Sequence, residues 1–497
     1  MALTAVVFLA GCAGSREPQQ GAETTPVNPT LKVTIATPQV GEAPKRDTLI
    51  QLAIERYTHT KLEIQWIPAA AFENKKNIMM AAGEMPKALK LTYNAATLQA
   101  IQSGLFWEIG PLLKDYKHLS AAAAIHYDNI KVNGKLYGLP LYRDIGRGGI
   151  IYRKDWFGVL GLHNPVTLDD WYNLMKTVAH GDPDKNGQQD TYGLLLDQSY
   201  NDPASSTAFL TRIAVTQGAP NKWGMESGKL IPEFMTKPYW DTMRLLRRLY
   251  HEKLINADFA VVQALVSDSK WRSGKAAIRI NNATSAASSY HSLAKLVPEA
   301  AVDVMPFTGP AGRRLPAESG NNGFYVFPKS SVTTEAELKQ LLGFFNKLLE
   351  PEMSTLLTRG IEGRHYVKTE DGMAKLKDLS LFQSEVKPYR DSLPSFEVNG
   401  TGLPLKFNGL QEKGWSISAD NVKYAVPNLA LSLTSQEYIN KGTELDILIR
   451  DAQTKYIMGK LDDEGWMEEL DRWKKDGGDK VIEEFTADYF KQNKLNK

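Results

Sequence analysis

The sequence predicts an α/β protein built as two lobes, each a mostly parallel sheet flanked by helices and joined to the other by a hinge. Three observations point there. Short apolar runs of strand type alternate with helical patterns from residue 32 to about 100, and again from 276 to 349. A segment rich in glycine and proline, 136–153, interrupts that rhythm between two apolar strands, as a chain crossing from one lobe to another would. The length of 497 residues, 42% hydrophobic and 23% charged, is enough for two or three packed cores.

In chain order, residues 4–10 form an apolar run too short to span a membrane as a helix. It ends in Leu9-Ala10-Gly11-Cys12, which resembles a bacterial lipobox, where a signal peptide is cut and the new terminal cysteine is lipidated. Residues 1–12 are therefore read as a lipoprotein signal, with Cys12 as the anchor on the extracellular face of the cell membrane. Cys12 is the only cysteine, so the mature fold needs no disulfide. Residues 13–30, rich in Pro, Thr, Gln and Gly, lack core-forming side chains and read as a flexible tether.

Strands are expected at 32–36, at 61–67 (Leu62, Ile64 and Trp66 on one face) and at 88–92, with helices at 45–57, 75–83 and from about 96. Ligands of such sheets bind beyond the carboxyl ends of the strands. Thr37 and Asn94 are candidate ligand contacts for that reason. In the crossing, Gly146-x-Gly148 lacks the later glycine of a dinucleotide fingerprint. Arg143, Asp144 and Arg147 lie on it, either as ligand contacts or as a hinge ion pair. A helix at 167–179 follows, started by Thr167, with Asp169 and Asp170 at its positive end. Further strands are expected at 276–280, 301–305 and 323–328. Asn321 and Asn322, before the return crossing, suit either sugar hydroxyls or a turn. A helix spans 334–349. Trp466, Leu470 and Trp473, at i, i+4 and i+7, are core residues of a C-terminal helix that Gly477-Gly478 ends before a last helix to about 491.

Charge and motifs exclude several classes. The net charge of +2 is too small for a general nucleic-acid binder. None of the eight histidines pairs at i+3 or i+4, so no zinc-binding helix is present. There is no G-x-S-x-G elbow and no Walker A loop.

NGKLYGLP (133–140), IIYRKDWF and LGL (150–162), DPDKNGQQDTYGL (182–194), RGIEGRHY (359–366) and LDRWKKDGGDKVIEEF (470–485) occur in that order. With the lipobox, they make the chain resemble family 1 extracellular solute-binding lipoproteins of ABC importers, in the long oligosaccharide-binding branch related to alginate-binding proteins. The resemblance covers about 31–491 and implies a two-lobed periplasmic-binding-protein-like fold. Lobe one would be 31–146 plus 324–370, and lobe two 147–323 plus 371–497. It further implies a non-enzymatic monomer that holds an oligosaccharide between the lobes and delivers it to a membrane permease. Arg143 and Arg147 suit a uronate-containing glycan. By the same resemblance Thr284 lines the cleft. Trp415, in the polar stretch QEKGWSISADN, is read as a loop residue placed to stack on a sugar. Two other classes remain: a lipid-anchored polysaccharide hydrolase or lyase, whose carboxylate pair sequence does not reveal, and a calcium-dependent wall protein.

The stretch 182–193 starts like an EF-hand. Asp182, Asp184 and Asn186 stand at loop positions 1, 3 and 5, Gly187 at 6, Gln188 (by its carbonyl) at 7 and Asp190 at 9, but position 12 is Gly193 and not glutamate. The resemblance implies a structural Ca2+ closed instead by position 10, here Thr191. An Asx-rich turn without metal is the alternative.

Overall fold

A computed structural model of the protein describes residues 31–39, 43–396 and 401–495. The expected signal with Cys12 and the tether 13–30 lie outside the described residues. Among the described residues, no helix is long and apolar enough to cross a membrane.

The first sheet has five strands in the order Thr60–Pro68, Leu31–Gln39, Ala88–Leu91, Asn321–Val326, Gly138–Tyr142. The first three run parallel. Each is linked to the next by a helix, and both faces are covered, so the strand Ala88–Leu91 is buried at every position. The fourth strand, returning from the other lobe, runs antiparallel to both neighbours. Helix starts follow local chemistry. Thr48 caps Leu49–Thr58 by accepting the Gln51 N–H at 3.2 Å. Thr167 and Asp170 form a reciprocal capping box at the start of Leu168–His180.

The second sheet has three strands, Ile278–Asn282, Gly148–Arg153 and Val302–Met305, in that order. All its pairs are antiparallel, which corrects the expectation of a mostly parallel sheet in this lobe. An apolar run of five residues reads the same in either direction, and here the long helical excursion between 153 and 278 decides which end the chain returns to.

Two large cores flank the crossings. One unites Val33, Ile35, Leu89 and Leu139 with Phe324, Phe345 and Leu357. The other holds Trp171, Leu210, Met243, Tyr456, Trp466 and Trp473, and a smaller cluster on the second sheet holds Trp271 and Ile151. Trp466 and Trp473 are thus core, as their spacing indicates, and so are Trp171 and Trp271. Phe382, Val386, Tyr389 and Leu393 also pack in the first core, and Thr401 and Leu403 bond to Leu349 and Thr355. The first core therefore takes in residues up to Leu403, whereas the family resemblance implies that everything from 371 belongs to the second lobe. The crossings lie at 143–147, at 317–320 and just before Asn408.

Asn408 and Gln411 form a second capping box and start the helix Gly409–Asn421. Trp415 is on this helix, not on a loop. The glycine that suggested a loop, Gly414, serves a close approach: a Cβ there would lie 2.4 Å from the Ala283 carbonyl oxygen. At the C-terminus, Gly477 (φ 144°) does not end a helix with a loop but widens one turn, 474–478, between Asp463–Trp473 and Asp479–Leu495. The helix Gln436–Ile457 joins the lobes. Its Ile439 is in the first core, and its Leu445, Ile449 and Tyr456 are in the second.

Candidate interlobe binding site

A cavity of about 380 Å³ opens where the lobes face each other. Tyr93 and Asn94 line it from the first lobe. Arg147, Glu318 and Asn321 line it from the crossings, and Ser205, Lys222, Trp223, Tyr438 and Asp446 from the second lobe.

Asn94 follows the buried strand 88–91 and caps the helix Ala95–Gln102, accepting the Thr97 N–H at 2.9 Å. Its position at a strand's carboxyl end is what places it on the cavity. Asn321 closes a turn, with its oxygen on the Gly323 N–H at 3.0 Å and its amide on the Ser319 carbonyl at 3.1 Å.

Arg147 and Glu318 come from the two crossings and form an ion pair. The Glu318 backbone N–H bonds the Ile145 carbonyl at 2.9 Å, which fixes the crossings side by side. On its far side Glu318 faces Arg212 at 3.6 Å. Arg212 and Glu318 are both buried. Glu318 Oε1 and Arg147 Nε are buried polar atoms without a hydrogen-bond partner in the fold.

On the second-lobe wall, Trp223 begins the strand Trp223–Glu226, half-buried, its ring held edge-on by Phe485 at 5.0 Å. Tyr438 donates to Asp446 Oδ2 at 3.0 Å. Burial pushes Asp446 up to about 6, and the Tyr438 hydrogen bond and Lys222 only partly oppose it. A raised folded value means that this group adds stability below its unfolded value of about 3.9 and that the contribution is lost as the pH rises through 6. At neutral pH the ionised carboxylate is a net cost. Asp446→Asn is therefore expected to stabilise the protein by about 1–2 kcal/mol at neutral pH. The gain should shrink to nothing toward pH 4. Melting curves of both forms against pH check this, and an equal gain at all pH values contradicts it.

Other predicted contacts lie elsewhere. Thr37 is fully buried in the first sheet and does not line this cavity. Arg143 sits 3.8 Å from Asp391, which burial would raise but which Arg390, Lys387 and Arg143 hold at about 2. Asp144 is half-buried on the crossing and Asn322 is exposed, and neither lines the cavity. Thr284 faces the helix 409–421 near Gly414. Trp415 packs against Phe407 at 5.5 Å, outside the lining. These side chains sit where their secondary structure points them, and only the strand-end residue and two crossing residues point inward. The reading missed Trp223, Tyr438, Glu318 and Asp446. Trp223 was the findable one, since it follows Asn221-Lys222 and belongs to no periodic apolar pattern.

The 182–190 loop lies apart from this cavity. Asp182 accepts the backbone N–H of Asn186 at 3.1 Å and of Gly187 at 3.0 Å. Gly187 takes φ 75°, the left-handed turn that position 6 requires. The Asn186 amide donates to Asp184 and Asp190 at 3.1 and 3.2 Å, while its oxygen accepts the Gln188 N–H at 2.7 Å. The ammonium of Lys275 bridges Asp184 Oδ2 at 3.1 Å and Asp190 Oδ2 at 2.6 Å. Thr191 is buried and donates to the Val178 carbonyl at 3.1 Å, so it does not close the loop as a ligand. Calcium needs six to eight oxygens at roughly 2.3–2.6 Å. Here hydrogen-bond donors, not oxygens, face Asp184 and Asp190, and the residues in this arrangement do not fit a calcium ion.

Residues 42–353 match the family model described as bacterial extracellular solute-binding protein. The chain is 35% identical over 495 residues to lipoprotein LipO of Bacillus subtilis strain 168, covering 98% of this chain and 96% of that protein. It is also 35% identical over 496 residues to the polygalacturonan/rhamnogalacturonan-binding protein YtcQ of the same strain, with the same coverage. Among solved structures, the alginate-binding protein AlgQ2 without calcium ion superposes with a TM-score of 0.69 at 18% identity, covering 94% of this chain and 100% of that one, a likeness of fold.

Proposed function

The chain belongs to the bacterial extracellular solute-binding proteins, which bind and do not transform their substrates, and on that premise we propose that it captures a galacturonate-containing oligosaccharide between its lobes. The observation that carries this reading is the ion pair of Arg147 and Glu318 on the cavity wall, beside the half-buried ring of Trp223. A sugar hydroxyl donates and accepts at once, so neighbouring hydroxyls match a carboxylate oxygen beside a guanidinium N–H. Trp223 offers a flat apolar surface to the C–H face of a pyranose. Arg147 and Lys222, ion-paired with Glu318 and Glu233, present cationic N–H donors to a uronate carboxylate, in keeping with the 35% identical relative being a polygalacturonan/rhamnogalacturonan-binding protein.

In this reading the protein works as a monomer, held by lipidated Cys12 at the outer face of the membrane. It hands its ligand to the permease of an ABC importer. Ligand contacts from both lobes favour the closed arrangement, and closure is the signal a permease reads.

The test is a calorimetric titration with oligogalacturonides and with neutral oligosaccharides, followed by product analysis of the same sample. Saturable binding of the acidic series, with intact ligand recovered, is expected. Small-angle scattering should show a smaller radius of gyration with ligand. Shortened or unsaturated sugar accumulating with time would make the protein a hydrolase or lyase. No binding of either series would overturn the oligosaccharide assignment.

A further inference from the structure

The loop that begins like a calcium site carries a cation of its own. Lys275 is 91 residues from Asp184 in sequence, yet the backbone fixes the two segments together. The Tyr192 N–H bonds the Lys275 carbonyl at 2.9 Å, and the Ala277 N–H bonds the Tyr192 carbonyl at 2.9 Å. That short bridge sets the lysine stem against the loop exit. Its ammonium then meets one oxygen from each of Asp184 and Asp190, the carboxylates at loop positions 3 and 9. Asp182 is committed to two backbone N–H groups, and Thr191 is turned into the core beside Val178. A divalent ion and this ammonium would compete for the same oxygens.

We propose that Lys275 is the resident cation of the 182–190 loop, its ammonium bridging Asp184 and Asp190 in place of a divalent ion, so that the loop holds its shape without calcium. The charge balance fits. Two carboxylates that would repel each other share one positive charge, and the Asn186 amide donates to Asp184 Oδ2 and Asp190 Oδ1, while Asp184 Oδ1 is buried without a partner. The inference is independent of what the interlobe cavity binds.

The experiment compares the parent protein, Lys275→Met and Lys275→Arg, each with chelator and with millimolar calcium. Two readouts are used: calcium titration calorimetry, and hydrogen exchange at the Asn186 and Gly187 amides that bond Asp182. The parent should show no calcium heat and the same protection in both buffers. Lys275→Met should lose protection in chelator, regain it with calcium and bind calcium at least tenfold more tightly than the parent. Lys275→Arg, which keeps the charge, should behave as the parent does. The proposal is overturned if the parent binds calcium as tightly as Lys275→Met, or if Lys275→Met keeps full protection in chelator. It is also overturned if Lys275→Met loses protection and does not respond to calcium.

Discussion

Glu318→Ala destabilises the protein by about 3–5 kcal/mol, the largest loss expected of any single polar substitution. Glu318 is the one negative charge that Arg147 and Arg212 share. Arg212 is buried, and its other neighbour, the Phe307 ring at 6.0 Å, is too weak a partner to replace a carboxylate. Removing Glu318 leaves two like charges close together in a poorly solvated place. Glu318→Gln keeps the shape and should lose nearly as much, because charge and not volume is at stake. Denaturant unfolding checks this through a lower midpoint at unchanged slope. A loss below about 1 kcal/mol would place the triad among solvent-screened ion pairs. The same residue fixes the two crossings, so ligand affinity should fall in the surviving folded fraction as well.

Trp223→Ala weakens oligogalacturonide binding by about 1–3 kcal/mol, roughly 5–150-fold in dissociation constant. The ring is half-buried, with its edge braced by Phe485. Little ordering is needed when a sugar lands on it, so most of the stacking energy reaches the affinity. The loss should be equal for acidic and neutral oligosaccharides that bind, since an aromatic face reads C–H groups and not charge. Arg147→Ala, by contrast, should cost more affinity for an acidic oligosaccharide than for a neutral one, if Arg147 contacts the ligand as proposed. Trp223→Phe should recover part of the affinity. Titration calorimetry on the three forms decides it, and an unchanged dissociation constant for Trp223→Ala removes the ring from the site. Trp415→Ala, by contrast, should leave affinity unchanged, because Trp415 packs on Phe407 outside the cavity.

Much of the framework was legible in the residues. Alternation of Leu62, Ile64 and Trp66 reads as a strand because side chains two apart share a face. Thr167 reads as a helix start because a cap acts over three residues. The crossing at 143–147 was visible from its glycines. In each case the physical cause lies within one turn of helix or a few residues of strand. The same holds for Asp182 and Gly187, whose turn forms as the spacing indicates. Phe382 and Leu393 were assigned to the wrong lobe because nothing local distinguishes one apolar core from another.

Local patterning thus determined the strand and helix types, the caps, the tryptophan cores and the position of the first crossing. Tertiary structure decided the strand directions of the second sheet, the lobe that holds 371–403 and the helix that carries Trp415. It also decided both charge clusters that matter. Arg147 meets Glu318 across 171 residues, and Lys275 meets Asp184 across 91. The chain has 57 acidic residues, and before folding nothing marks one of them as a partner for either cation. A cap is chosen by a few neighbouring dihedral angles, whereas an ion pair between distant segments is chosen only when packed sheets and crossings have fixed where both backbones run.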